Sequence, residues 1–225
     1  MGILDVLDRI FVKKNFNLYS VSRLDDLFNR KIVDIDKIVE YIEKKYSENS
    51  NCVDLFSKLA YYFLQKDDLY SAKKYLDKDS KLKRQSWWST IRYAEYFALK
   101  GNINKSFEII DKIYEENCEA MNGYGHVGWI LYRKGKISYI DVCDILKKDI
   151  DKNRLSNGFK IIAASIFGIN NLFFAQELVW EAYREDDFLK DGFSLLALNL
   201  MRNKDYALAL FGRNRGSKRA SRKSL

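Results

Sequence analysis

The sequence predicts an all-α protein, an α-solenoid of stacked antiparallel helical hairpins, on three observations. Small residues recur at spacings of 34, 34, 35 and 34 residues. A turn position follows each of them by seven residues, and in four of the five cases a second small residue follows that turn position by five. A period of this length is typical of helical hairpins, because a hairpin of about 34 residues cannot bury its own apolar faces and has to stack on a neighbour. The small residues of the first series are Ala60, Ala94, Gly128, Ala163 and Ala197.

Residues 1–50 are interpreted as a degenerate helical N-terminal cap of the array. Apolar residues at helical spacing within 4–11 and within 35–42 predict helices in both stretches. Asp26 stands where the next small residue upstream would fall, so this segment departs from the repeat pattern. A polar run at 47–51 separates the cap from the regular array.

Residues 51–212 are predicted to form the helical repeat array. The first helix of each repeat carries apolar side chains at spacings of three and four residues, such as Phe56, Leu59 and Phe63 in the first repeat. At the turn positions, Gly and Asn suit the left-handed conformation that often ends a helix. The turn positions are Asp67, Gly101, Gly135, Asn170 and Lys204, and the small residues after them are Ala72, Ser106, Ala175 and Ala209, with Ile140 as the exception.

The array resembles the tetratricopeptide repeat (TPR) family, with about five repeats between residues 51 and 211. That family has an aromatic-small-aromatic run in the first helix and a Gly-Asp-Tyr-like turn after it, and the turn Lys100-Gly101-Asn102-Ile103 is similar. The family's proline between repeats is missing, since the chain contains no proline. Pentatricopeptide repeats, which bind RNA, have nearly the same length but do not require the small residue midway along the first helix. The resemblance implies a right-handed superhelix.

The resemblance also implies that the first helices line a concave groove that binds a partner. Apart from Glu95, the residues after the small positions form an apolar and aromatic strip, which favours an apolar or amphipathic segment. The Lys and Asn clamp that some family members use for a C-terminal carboxylate is absent, because Ser57 and Tyr61 occupy the corresponding positions. The alternative that some of these aromatic residues belong to the core stays open. The predicted groove residues are Tyr61, Leu64, Trp88, Glu95, Trp129, Tyr132, Phe167, Leu198 and Met201.

Residues 213–225 form a basic tail that is expected to be disordered. The tail holds six positive charges and no acid, so of the net charge of +8 the rest of the chain keeps 8 − 6 = +2. Such a tail would be attracted to an acidic partner, to nucleic acid or to an anionic membrane surface. Its basic residues are Arg213, Arg215, Lys218, Arg219, Arg222 and Lys223.

The last repeat predicts an interface for a homo-oligomer. Its second helix has room for only about two turns between Asp205 and Gly212, and no polar capping helix follows it. Leu208 and Phe211 are therefore expected to be exposed and to mark an interaction surface. The alternative is that these side chains fold back onto the fourth repeat.

The sequence predicts no catalytic site, no cofactor and no metal site. His126 is the single histidine, which leaves no His-based triad or metal cluster. Three cysteines, Cys52, Cys118 and Cys143, lack metal-ligand spacing and suggest a reduced protein of the cytoplasm. No stretch approaches the about 18 apolar residues of a membrane span. The expected location is the cytoplasm, with peripheral contact to the inner membrane face as an open alternative.

The sequence therefore predicts a non-catalytic scaffold or adaptor that binds another protein. Two other functions stay open. One is an accessory subunit of a membrane-associated or surface-polysaccharide enzyme assembly, with the basic tail at the lipid surface. The other is a nucleic-acid-binding helical-repeat protein, in which Lys81, Lys83, Arg84 and Arg92 would continue the positive charge of the tail onto the body.

Overall fold

The computed structural model of the 225-residue chain describes residues 34–48, 54–82 and 86–185. This part of the chain is all-helical and contains no strand, which confirms the predicted all-α class. Its helices are α1 (Ile35–Glu48), α2 (Leu55–Gln65), α3 (Leu69–Asp79), α4 (Trp87–Leu99), α5 (Ile103–Glu116), α6 (Gly123–Arg133), α7 (Tyr139–Asp151), α8 (Asn157–Phe167) and α9 (Leu172–Glu185).

Consecutive helices pair as four hairpins, α2 with α3, α4 with α5, α6 with α7 and α8 with α9. The predicted turn position has left-handed backbone at Asp67 (φ 63°), Gly101 (φ 91°) and Gly135 (φ 65°). Immediately after each turn, a side chain caps the second helix by accepting a hydrogen bond from a backbone N–H of its first turn. These caps are Asp68, Asn102, Ser138 and Asn171.

The prediction of a left-handed turn at Asn170 is wrong. Asn170 has no positive φ, and Gly168 ends α8 in right-handed helical backbone. The backbone N–H groups of Asn170 and Asn171 both donate to the carbonyl of Phe167, at 3.1 and 2.8 Å. The last carbonyls of α8 are thus satisfied by a continued helical turn, which leaves no need for a left-handed residue.

The positions of both series lie in the core where the structure describes them, except position 140. Each described Ala of the first series is fully buried, and so are Ala72, Ser106 and Ala175 of the second. Gly128 is buried as well. Close helix contact at these positions leaves room for little more than a Cβ atom, as the period predicted.

Ile140, the exception in the sequence pattern, is exposed rather than buried. The turn before α7 spans residues 134–138, two residues more than the turns at 66–68 and 100–102, so α7 begins two residues later in the repeat. The fourth helical residue is Ala72 in α3 and Val142 in α7, and both are fully buried. Val142 therefore takes the core position that the simple period assigned to Ile140.

Gly128 on α6 leaves room for Val142 and for Ile145 on α7. A Cβ atom at position 128 would lie 2.9 Å from Cγ2 of Ile145 and 3.5 Å from Cγ2 of Val142. Both distances involve β-branched side chains with little rotational freedom. The hairpin with the larger residue on its second helix is thus the one with glycine on its first.

The contacts of the chain divide it into two compact units, residues 1–117 and 118–225. In unit 1, α1 contacts α2, and α4 contacts both α2 and α3. In unit 2, α7 contacts α8. Each unit therefore holds two of the described hairpins.

The two units begin their first hairpin in the same way. Asp54 before α2 and Asn122 before α6 are left-handed and do not cap their own helix through the side chain. Instead, an aspartate near the end of the second helix of the same hairpin accepts a hydrogen bond from the backbone N–H of the third residue of the first helix. Oδ1 of Asp79 lies 3.2 Å from N of Ser57, and Oδ2 of Asp149 lies 2.6 Å from N of Gly125.

Asp54 and Asn122 instead join the first hairpin of each unit to the second. Ser86, the N-cap of α4, donates its hydroxyl to Asp54. Asn122 bonds twice to Ser156, the N-cap of α8, through Nδ2 to Oγ at 2.9 Å and through Oδ1 to the backbone N at 2.7 Å. Asp54 and Asn122 are 68 residues apart and Ser86 and Ser156 are 70 residues apart, so similar polar links recur after two hairpins.

Several predictions fall on residues outside those that the structure describes. They concern the helix within 4–11 and Asp26 of the cap, Cys52, and the fifth repeat with Ala197, Lys204 and Ala209. They also concern the groove residues Leu198 and Met201, the short last helix with Leu208 and Phe211, and the basic tail at 213–225. Those predictions stay predictions.

Candidate functional site

The candidate site is a cluster of aromatic and charged side chains on the first helices of unit 1. Trp88, Arg92 and Glu95 are spaced by four and three residues on α4, so they share one face of that helix. Tyr61 lies on α2, one residue after the buried Ala60, and α2 contacts α4. We call Tyr61, Trp88, Arg92 and Glu95 the unit 1 cluster.

A buried ion pair lies at the centre of the unit 1 cluster. Nη1 of Arg92 is 2.6 Å from both carboxylate oxygens of Glu95. Arg92 is 7 % exposed and Glu95 is 1 % exposed. Two charges this far from water are stable together only because each neutralises the other, and removing either partner would leave an uncompensated buried charge.

Two aromatic rings contact the guanidinium of this pair. Cζ of Arg92 is 4.4 Å from the ring centroid of Tyr61 and 5.5 Å from that of Trp88, within the range of cation–π attraction. Both rings are half-buried. The ion pair therefore fixes the two aromatic side chains while part of each ring stays accessible.

Residues at the start of α4 also contact Trp88. The backbone N of Trp88 donates to Oγ of Ser86 at 3.2 Å, and Ser86 itself donates to Asp54 before α2. The Trp88 ring stacks on the neighbouring half-buried ring of Trp87, with centroids 4.1 Å apart. The backbone N–H of Trp88 is thus bonded by the same serine that joins the two hairpins of unit 1.

The remaining described groove residues have packing roles. Leu64 is fully buried in unit 1. In unit 2, Phe167 is buried and packs edge to face on Phe174, while Trp129 and Tyr132 are half-buried and pack on the core of that unit. Phe167 therefore fits the sequence alternative that some groove aromatics belong to the core, whereas Trp129 and Tyr132 are half-buried, as Tyr61 and Trp88 are.

Arg92 was considered in the sequence analysis for a basic stripe, and the structure gives it a different environment. Because it is buried and paired with Glu95, it does not supply exposed positive charge. Lys81 is exposed, whereas Lys83 and Arg84 lie outside the described residues. The sequence analysis did not identify Arg92 as part of the groove, although its spacing from Trp88 and Glu95 was a signal for that role.

The described residues hold no group of His, Cys, Asp and Glu side chains suited to a metal ion. His126 is half-buried, and its ring centroid lies 5.0 Å from that of Phe159. Cys143 is buried and Cys118 is exposed, both as free thiols. Burial raises the pKa of the Cys143 thiol, which makes it a poor nucleophile.

Within the described ranges no helix has the length and apolar content needed to cross a membrane. No protein-family model matches the chain, and no curated protein matches it at a significant level.

Proposed function

We propose that the protein is a non-catalytic scaffold or adaptor, an α-solenoid similar to the TPR family, that binds another protein. In this proposal the first-helix face of unit 1 binds an apolar or amphipathic segment of the partner, with the unit 1 cluster as its anchor. The observation that carries the proposal is the pair of half-buried rings, Tyr61 and Trp88, that both contact the buried guanidinium of the Arg92–Glu95 pair.

Rigid and partly exposed aromatic side chains are what a binding surface needs. Tyr and Trp contribute large contact areas and dominate measured interfaces. Their energetic contribution is greatest when they are ordered before binding, because little side-chain entropy is then lost. The contacts of Arg92 with both rings order Tyr61 and Trp88 in the free protein.

The charge at the cluster favours an apolar segment. The Arg92–Glu95 pair is neutral as a whole, so the surface that it supports is mainly aromatic. Nζ of Lys58 lies 5.2 Å from the ring centroid of Tyr61, within the range of cation–π attraction. An amphipathic helix that places apolar residues on the two rings would fit this surface.

The experiment is a selection of binding peptides from a display library of amphipathic helical segments, with the purified full-length protein as bait. The dissociation constants of the selected peptides are then measured for the wild type, Tyr61→Ala and Trp88→Ala. We expect each substitution to weaken binding by about tenfold or more, as expected for an aromatic anchor of an interface. Helix content, measured by circular dichroism, should stay close to that of the wild type.

Tyr70→Ala is the matched control, since Tyr70 lies on the second helix α3 and is exposed. It should bind the selected peptides as the wild type does. Peptides that bind Tyr61→Ala and Trp88→Ala with unchanged affinity would refute the proposed site. A selection with no enrichment over an unrelated helical bait would refute the binding function itself.

A further inference from the structure

The first helices of the two units share an aromatic ring in contact with an arginine. Trp129 on α6 and Tyr61 on α2 each come one residue after a buried small residue. Cζ of Arg92 lies 4.4 Å from the ring centroid of Tyr61, and Cζ of Arg133 lies 5.7 Å from that of Trp129. Both distances are within the range of cation–π attraction. Unit 2 therefore repeats the aromatic and cationic part of the unit 1 cluster.

The two arginines differ in burial and in charge pairing. Arg92 is 7 % exposed and is paired with Glu95, whereas Arg133 is exposed. Within the described ranges the side chain of Arg133 forms no hydrogen bond and no ion pair, and its contact is with the ring of Trp129. The first helices of unit 2, α6 and α8, contain no acidic residue. Unit 1 thus supplies a carboxylate to its arginine, and unit 2 does not.

The one lysine of these two helices is already compensated. Nζ of Lys160 on α8 lies 3.4 Å from Oε2 of Glu181 and 3.8 Å from Oε1 of Glu185, both on α9. The charge of Lys160 is therefore balanced inside the α8–α9 hairpin. The guanidinium of Arg133 is the positive charge that the first helices of unit 2 leave available for a ligand.

Trp129 and Arg133 together offer a surface for a carboxylate next to an apolar group. A guanidinium binds a carboxylate through two parallel hydrogen bonds, which makes it selective for that planar group. The indole of Trp129 is half-buried and packs on the core of unit 2, so it is ordered before a ligand binds and keeps part of its ring accessible. An apolar side chain on that ring would place a neighbouring carboxylate within reach of Arg133.

We propose that Trp129 and Arg133 form a second binding site, which takes a peptide segment with an acidic residue beside an apolar one. The carboxylate binds the guanidinium of Arg133, and the apolar side chain packs on the indole of Trp129. This inference rests on the proposed function, since the ligand is again a segment of a partner protein, but it uses no residue of the unit 1 cluster.

The charge of α6 favours a peptide over a nucleic acid. Nucleic-acid affinity comes from several phosphate contacts made by lysine and arginine side chains. The helix α6 holds one arginine and no lysine. A single peptide carboxylate, in contrast, is fully neutralised by one guanidinium.

The test is a selection from a display library of short random peptides, with the full-length variant Tyr61→Ala as bait so that the unit 1 cluster is weakened. We expect the selected peptides to share an acidic residue beside an apolar one. Each peptide is then synthesised in two forms, with its acidic residues and with the corresponding amides, and dissociation constants are measured by fluorescence anisotropy. The amide form should bind about tenfold more weakly, because the charge-assisted hydrogen bonds are lost.

Two substitutions, each added to Tyr61→Ala, locate the site on the chain. Trp129→Ala and Arg133→Gln should each weaken binding of the acidic peptides about tenfold. Because Arg133 is exposed, Arg133→Gln tests the site without any loss of core packing. Circular dichroism shows whether the helices of each variant are intact.

Trp180→Ala and Arg184→Gln are the matched controls within unit 2. Trp180 is half-buried on the same core as Trp129, but it lies on the second helix α9. Arg184 is exposed and lies in the last turn of α9, as Arg133 lies in the last turn of α6. Both controls should bind the selected peptides as the Tyr61→Ala variant does.

Three outcomes would overturn the proposal. The first is a selection with no more enrichment than a bait that also carries Trp129→Ala and Arg133→Gln. The second is equal affinity for the acidic and amide forms. The third is a single-stranded oligonucleotide whose binding Arg133→Gln weakens while peptide binding is unchanged, which would make a nucleic acid the ligand. The wild-type selection with Tyr61→Ala and Trp88→Ala tests the unit 1 cluster separately, so failure of one site is distinguishable from failure of the other.

Discussion

Replacement of Gly128 by alanine tests the packing of the α6–α7 hairpin most directly. The new Cβ atom would lie 2.9 Å from Cγ2 of Ile145, closer than real Cβ atoms approach a neighbour, and 3.3 Å from its Cβ, which is a tight contact. Neither contact atom is at the end of a flexible side chain, so relief requires a shift of one helix against the other. Overpacking of this kind costs about 1–3 kcal/mol.

An opposing effect has to be subtracted from that cost. Gly128 lies inside α6, where alanine is favoured over glycine by about 0.5–1 kcal/mol. The expected net loss of unfolding free energy is therefore about 0.5–2 kcal/mol. For a chain of this length, each kcal/mol corresponds to a fall in Tm of about 2–4 °C. Thermal and urea unfolding, followed by circular dichroism, measure both quantities.

Gly158→Ala is the matched control, because a Cβ atom at position 158 in α8 would meet no atom within 4 Å. It should leave stability unchanged or raise it by up to about 1 kcal/mol. The double variant Gly128→Ala/Ile145→Ala removes the atom that the new methyl group meets, so its loss should be smaller than the sum of the single losses. If Gly128→Ala is as stable as the wild type, or if the two losses are additive, the packing argument is refuted.

Three further predictions follow from buried residues elsewhere in the chain. Ala94→Leu should lower unfolding free energy by about 1–3 kcal/mol, since Ala94 is fully buried, and unchanged thermal stability would contradict the close helix contact there. Burial raises the pKa of Asp79 above its ordinary value, and the charge of Asp54 raises it further. The folded state therefore holds the proton of this carboxyl more tightly than the unfolded state does. Protonation stabilises the fold at low pH, and this stabilisation is lost as pH rises through the folded pKa. Asp79→Asn keeps an acceptor for the N–H of Ser57 and should therefore be more stable than the wild type near neutral pH, with a difference that shrinks as pH falls toward about 4 in urea titrations. Asn122→Gly should lower the free energy of unfolding by about 1–3 kcal/mol, because the hydrogen bonds to Ser156 are lost. Asn122→Ala should lower it by about 1 kcal/mol more, because φ is 60° at this position and alanine is strained there. Equal stability of the two variants would show that the left-handed backbone does not determine the residue type at position 122.

Local features of the sequence were sufficient for the helices and most of their turns. The period placed small residues at positions that the structure buries, because close helix contact admits few residue types. Gly101 and Gly135 marked left-handed turns, since glycine adopts that conformation without steric cost. The aromatic pattern also identified Tyr61 and Trp88, which are the half-buried part of the unit 1 cluster.

Contacts between residues far apart in the chain were decided by the tertiary structure alone. Asp79 and Asp149 accept from backbone N–H groups 22 and 24 residues earlier in the chain, which no local pattern reveals. The longer turn before α7 exposes Ile140 and buries Val142, because a shift of two residues turns a helix by more than half a revolution. In the sequence, Arg92 and Glu95 are only two charged residues. The packing of α4 on α2 buries them together beside Tyr61. Helix formation depends on neighbours within a few residues, whereas burial depends on which surfaces the folded chain brings into contact.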